Sequence, residues 1–214
     1  MNRLTTLGLG LGLAIATGCA PSKPVLHVYN WADYIKPELV SRFEAEQGCV
    51  VQIDTFDSNE SMYAKIKAGA SGYDLIFPSS YMVKLMVQDD MLQPLDLARI
   101  PNAQHVDPAV RRMIADPAFT HSIPYMMCNA GIAYDGDKVD AFEPTWAMFN
   151  RDDLKGRMTM LNDMRETIGA ALKFLGYSLN TTNPDELQQA QKVVVDWKKN
   201  LAKFENEQYK NGIA

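Results

Sequence analysis

The order of strand-like and helix-like stretches predicts an α/β protein built on a parallel sheet with helices on its faces. Three observations carry this. Residues 26–87 alternate apolar strand-type runs with helix starts, in the order β-α-β-α-β-α. One run, Tyr73-Asp-Leu-Ile-Phe77, is short and nearly continuous, as in a parallel strand buried on both faces. The predicted helices carry local start and stop signals, Lys36-Pro37-Glu38 at one start and Gly48 at its end.

Taken in order, Leu26–Tyr29 is a strand that Asn30 ends, leaving Trp31, Asp33 and Tyr34 together just past it. Residues 37–47 form a helix with Leu39, Val40 and Phe43 as its buried stripe. Residues 49–56 alternate as a second strand. Asp57-Ser-Asn-Glu60 has capping-box spacing and opens another helix. After Tyr73–Phe77, Pro78-Ser79-Ser80-Tyr81 cuts the strand and residues 82–87 are helical. Pro101, Pro108 and Pro117 then keep residues 96–121 from forming a long helix.

Residues 126–134 read as a further strand, 143–149 as a short helix and 157–161 as a strand. Helices follow at 165–175, stopped by Gly176, and from Asn183-Pro184 to about Leu201, with Trp197 on the buried face.

The N-terminus marks export. Arg3 precedes the mostly apolar run Leu4–Ala16, which has signal-peptide length, and Ala16-Thr17-Gly18-Cys19 resembles a bacterial lipobox. The expected processing removes residues 1–18, lipidates Cys19 and leaves residues 19–24 as a tether. An ordinary secretory signal with an incidental Cys19 is the other reading. The net charge is −5, and −6 once Arg3 is removed with that segment. With no basic cluster, this argues against nucleic acid as a partner. Cys49 and Cys128 lie on apolar stretches and read as a disulfide pair or as small buried hydrophobes. His27, His105 and His121 show no metal-ligand spacing, and no metal or cofactor is expected. No Gly-x-Ser-x-Gly and no phosphate-binding glycine loop is present.

In an open α/β sheet, ligands bind outside the carboxyl ends of the strands. Three candidate groups fall at such ends. Trp31, Asp33 and Tyr34 suit an organic cation, since ring faces attract positive charge and a carboxylate fixes it. The same residues would also serve as packing at a strand-to-helix turn. Ser79 and Tyr81 read as a hydroxyl and a ring at the crevice, or as a helix start. Asp163-x-x-Glu166 is a capping box whose carboxylates keep spare acceptor sites for a ligand.

Five blocks carry a resemblance: Tyr29-Asn-Trp-Ala-Asp-Tyr34, Asp57–Lys65, Tyr73–Tyr81, Ser122-Ile-Pro-Tyr125, and Asp163-Met-Arg-Glu166 followed by Leu175-Gly-Tyr177. In sequence and spacing they resemble the spermidine/putrescine-binding proteins of bacterial ABC importers. The resemblance implies a two-lobed periplasmic-binding-protein fold of type II, with lobe 1 at 25–124 and lobe 2 at 125–214. It implies an extended polyamine held in the cleft and passed to a permease driven by an ATPase, by a periplasmic protein expected to be a monomer, which the lipobox reading would anchor to a bacterial membrane through Cys19.

Carried over position by position, the ligand-binding residues are Trp31, Ala32, Asp33, Tyr34, Ser79, Tyr81, Asp163 and Glu166. Ala32 stands where a hydroxyl residue is usual, which leaves only a backbone contact there. The family's chains run beyond the equivalent of Ala214, and Lys210–Ala214 resembles the start of a strand. A fragment with an incomplete second lobe and weak or absent polyamine binding is therefore expected. An exported α/β lipoprotein for another small ligand, or an exported enzyme, is the alternative.

Overall fold

The computed structural model describes residues 23–206, 208 and 212. The signal segment 1–18, Cys19 and residues 20–22 of the tether lie outside the described residues, as does most of the strand start expected at 210–214.

A first sheet has three parallel strands: β1 (Val25–Trp31) at the centre, flanked by β2 (Val50–Phe56) and β3 (Leu75–Ile76). Parallel strands need crossovers, and helices supply them: α1 (Pro37–Gln47) between β1 and β2, and α2 (Asn59–Lys67) between β2 and β3. α3 (Ser80–Gln88) follows β3. Pro37 starts α1, and Gly48 closes it in the left-handed region at φ 65°, where its N–H bonds Glu44 O at 2.9 Å. Tyr29, Phe56, Met62, Met82 and Met86 form the core between the sheet, α2 and α3. Tyr29 stacks on Tyr73 at 4.5 Å between ring centres.

The linking segment holds α4 (Pro108–Arg111) and short 3-10 turns. Asp116 pins its end: burial would push the carboxyl up. Hydrogen bonds from the Thr120 hydroxyl and the backbone N–H groups of Thr120, His121 and Ser122 outweigh burial, and its pKa falls to about 2.

A second sheet pairs β4 (Met158–Met160) with β5 (Leu201–Phe204) in parallel, connected through α5 (Met164–Phe174) and α6 (Pro184–Lys198). Trp197 is wholly buried there among Phe149, Leu172 and Ala190, and its Nε1 donates to Asn150 Oδ1 at 2.9 Å. Among the described residues no helix is long and apolar enough to cross a membrane.

Five expectations are corrected. Asn30 does not end the first strand, which runs on through Trp31. The Asn30 side chain is buried, and its Oδ1 accepts from Trp31 N at 2.8 Å. The α1 stripe is not buried: Leu39 is 45% and Phe43 42% exposed, because α1 rests on β2, the edge of a narrow sheet. Residues 126–134 are not a strand, and Met127 is 57% exposed. Backbone N–H and C=O groups form a strand only beside a second one, and no described strand flanks this segment. α6 stops at Lys198, since Leu201 turns into β5. Cys49 is buried, but Cys128 is exposed, and both are free thiols.

Candidate functional site

The carboxyl ends of β1 and β3 carry the first part of the site. Trp31 closes β1 and is half-buried. Its Nε1 donates to Phe77 O at 2.8 Å, which fixes the indole edge across the two strand ends. The indole centre lies 4.5 Å from the Phe56 ring and 6.0 Å from the Tyr34 ring. Trp31 is thus packed on one side and next to a second ring on the other. Asp33 is exposed on a turn with φ 60°, and Ala32 offers only a methyl group and its backbone. Tyr34 O accepts from Tyr125 Oη at 2.6 Å, which ties this turn to the linking segment.

Ser79 occupies the position before α3, but its hydroxyl does not cap the helix. Instead the buried amide of Asn59 grips it twice: Ser79 N donates to Asn59 Oδ1 at 2.9 Å, and Asn59 Nδ2 donates to Ser79 Oγ at 3.1 Å. One acceptor site of the hydroxyl is so used, and its hydrogen remains to be given elsewhere. Tyr81 Oη donates to Glu60 Oε1 at 3.1 Å. Burial, then the carboxylates of Glu60 and Asp163, push the Tyr81 phenol well above its ordinary range, so it stays neutral. The Arg165 guanidinium 4.9 Å from the Tyr81 ring and the Asn206 hydrogen bond to Asp57 O bring the second sheet's strand end against the first.

Asp163 caps α5, its Oδ1 accepting from Glu166 N at 2.9 Å. The cap is half of a capping box. Among the described residues, no hydrogen bond returns from the Glu166 carboxylate to the backbone of Asp163. Partial burial and the neighbouring Asp163 raise the pKa of Glu166, while Arg165 opposes the rise. Such a carboxylate gains most from an incoming cation.

A polar cavity of about 360 Å³ opens beside these groups, lined by Asp57, Asn162, Glu205, Asn206 and Gln208 at the ends of β2, β4 and β5. Asn206 Nδ2 spans it to Asp57 O at 2.7 Å and Asn162 O at 3.1 Å. Glu205 Oε1 is buried with no partner among the described residues.

The predicted residues therefore gather as Trp31 with Tyr34, Ser79 with Tyr81, and Asp163 with Glu166, the last two pairs meeting at Tyr81. Asp33 is exposed on its turn, two residues past Trp31. Asn59, Glu60 and Arg165 belong to the same neighbourhood and were not singled out from sequence. The signal was present but assigned elsewhere: Asp57 and Glu60 read as a capping box, whereas Ser58 Oγ is the cap, accepting from Ser61 N at 3.2 Å. Among the described residues, no group of three or more His, Cys, Asp and Glu could hold a metal ion.

The family described as bacterial extracellular solute-binding protein matches residues 38–212. The chain is similar to the spermidine/putrescine-binding periplasmic protein of Escherichia coli, 36% identical over 199 residues covering 92% of this chain and 57% of that protein. Among solved structures it is similar to the TpPotD lipoprotein of Treponema pallidum (45% identity, TM-score 0.80, covering 86% of this chain and 59% of that one). It is also similar to the spermidine/putrescine ABC transporter substrate-binding protein PotD of Streptococcus pneumoniae (36% identity, TM-score 0.68, 89% and 59%). The chain thus spans somewhat under two thirds of the length of these relatives.

Proposed function

The chain belongs to the family of bacterial extracellular solute-binding proteins, and from that premise we propose that it captures a polyamine in a cleft between its two units and delivers it to an ABC permease. The two units are lobes at 25–124 and 125–214. The protein works in the periplasm as a binding protein rather than an enzyme, lipid-anchored through Cys19 and monomeric.

One observation carries the reading most directly. Aromatic faces and carboxylates meet around Tyr81, whose phenol has Glu60 and Asp163 beside it and Glu166 next to Asp163, while Trp31 and Tyr34 pair as further rings past the end of β1. A polyamine is a string of methylenes between ammonium groups. Rings cover the methylenes and attract the charges, and carboxylates accept the ammonium hydrogens. An ammonium moved out of water without such acceptors is strongly disfavoured. The relatives this chain is similar to are spermidine/putrescine-binding proteins, which supports the same ligand class.

Calorimetric titration of this chain tests the reading. Spermidine and putrescine should each give saturable binding, competitive with one another, while a neutral sugar and glutamate give none. Equal binding of the sugar, or no binding of either polyamine, would overturn the proposal.

A further inference from the structure

Arg165 stands between the two carboxylates of the Asp163-x-x-Glu166 pair, in the first turn of α5. Its guanidinium carbon lies 4.9 Å from the centre of the Tyr81 ring. Asn180 Oδ1 accepts from Nη2 at 2.7 Å and holds the guanidinium from the far side. Tyr81 belongs to α3 of the first unit and Arg165 to α5 of the second, so this contact crosses between them. The ring is itself fixed, because Tyr81 Oη donates to Glu60.

A cation over a ring, with Glu60 and Asp163 beside the same phenol, is what a ligand ammonium would present here. We propose that Arg165 is a tethered cation that latches the two units together and must be displaced from Tyr81 by the ligand. Two consequences separate this from a bystander arginine. Without the guanidinium, the two units lose a contact that orients them. And the latch opposes every ligand cation alike. A monoamine exchanges one positive charge for another on the ring and gains little. A polyamine displaces Arg165 and still brings further ammonium groups to the carboxylates, so it retains a net gain after meeting the same cost.

The competition half rests on the cation-binding reading above, whereas the latch half does not. The experiment therefore has two arms on the full chain. In the first, residual dipolar couplings of backbone amides report the relative orientation of the units without ligand. Arg165→Met should change it, and Arg165→Lys, which keeps a cation for the ring, should hold it. An unchanged orientation in Arg165→Met overturns the latch. In the second, calorimetry compares spermidine with butylamine. Arg165→Met should bind both about three- to fivefold more tightly per displaced contact, the range for a partly exposed cation–ring pair. The proportional gain should be the same for the two amines, since each displaces the one Arg165–Tyr81 contact. Weaker spermidine binding in Arg165→Met overturns the competition and makes Arg165 a support for the ligand. If neither amine binds wild type or variant, the polyamine reading fails, while the orientation arm still decides the latch. Well-dispersed amide spectra of both variants separate these outcomes from misfolding.

Discussion

At the scale of single residues, Glu166 is a partly buried carboxylate that, on the proposed reading, receives a ligand ammonium at some expense to the fold. Partial burial and Asp163 lift its pKa above the ordinary 4.5. Between the ordinary and the raised value, the folded chain holds a proton that the unfolded chain has released. Stability owed to this group therefore falls as pH rises through that window. Ligand affinity runs the other way, because an ammonium binds the ionised carboxylate and binding expels the proton. Glu166→Gln should accordingly raise the melting temperature near neutral pH while weakening spermidine by about ten- to a hundredfold, the worth of a charge-assisted hydrogen bond. It should also flatten the fall in affinity on acidification. Thermal unfolding and calorimetry across a pH series check all three. The residue was legible in sequence, but its strain was not, since burial depends on how the two units meet.

At the scale of elements, α5 joins two roles in one side chain. Asp163 satisfies the helix N-terminus through Glu166 N and keeps spare acceptor sites, which the proposed function assigns to the ligand. Substitution can separate the roles, because asparagine caps about as well as aspartate and alanine does not. Asp163→Asn should keep the urea midpoint of the wild type and lose polyamine affinity. Asp163→Ala should lose affinity and about 1 kcal/mol of stability as well. Wild-type binding by Asp163→Asn would reduce Asp163 to a cap. The helices were readable because caps and stops are local: Pro37 and Gly48 bound α1, and Asn183 caps α6 through Asp185 N. Strands were readable only where a neighbour exists. Residues 126–134 have a strand's composition and no described strand beside them, and β3 shrinks to Leu75–Ile76 with Leu75 48% exposed. Composition states a preference, whereas pairing is a property of what lies alongside.

At the scale of the whole molecule, Trp31 and Trp197 have contrasting surroundings. Trp31 is half-buried at a strand end, where it meets Tyr34 and Phe77 O. Trp197 is wholly enclosed beside Phe149 and Phe174 and bonded to Asn150. Trp31→Ala should weaken polyamine binding about tenfold with the fold intact, the combined worth of a ring's contact and its attraction for charge. Trp197→Ala should lose about 3–5 kcal/mol of stability and leave the affinity of the folded fraction nearly unchanged. Calorimetry with urea unfolding separates the pair, and equal effects on affinity would argue against a site at Trp31. The α/β alternation and the strand-end residues could be read from the chain because they repeat a local grammar. The crossing contacts could not: Arg165 over Tyr81 and Asn206 to Asp57 join residues 84 and 149 positions apart, and nothing in either neighbourhood announces the other.

The two described thiols have opposite surroundings, and that difference makes the protein its own instrument. Cys49 is buried, while Cys128 is exposed with its Sγ 3.9 Å from the Tyr34 hydroxyl. A maleimide dye would react at Cys128 ahead of Cys49 and sit beside the rings that would receive the solute. Its brightness would follow occupancy in real time, turning the arrangement at Tyr34 into an optical gauge with no further engineering of the cleft.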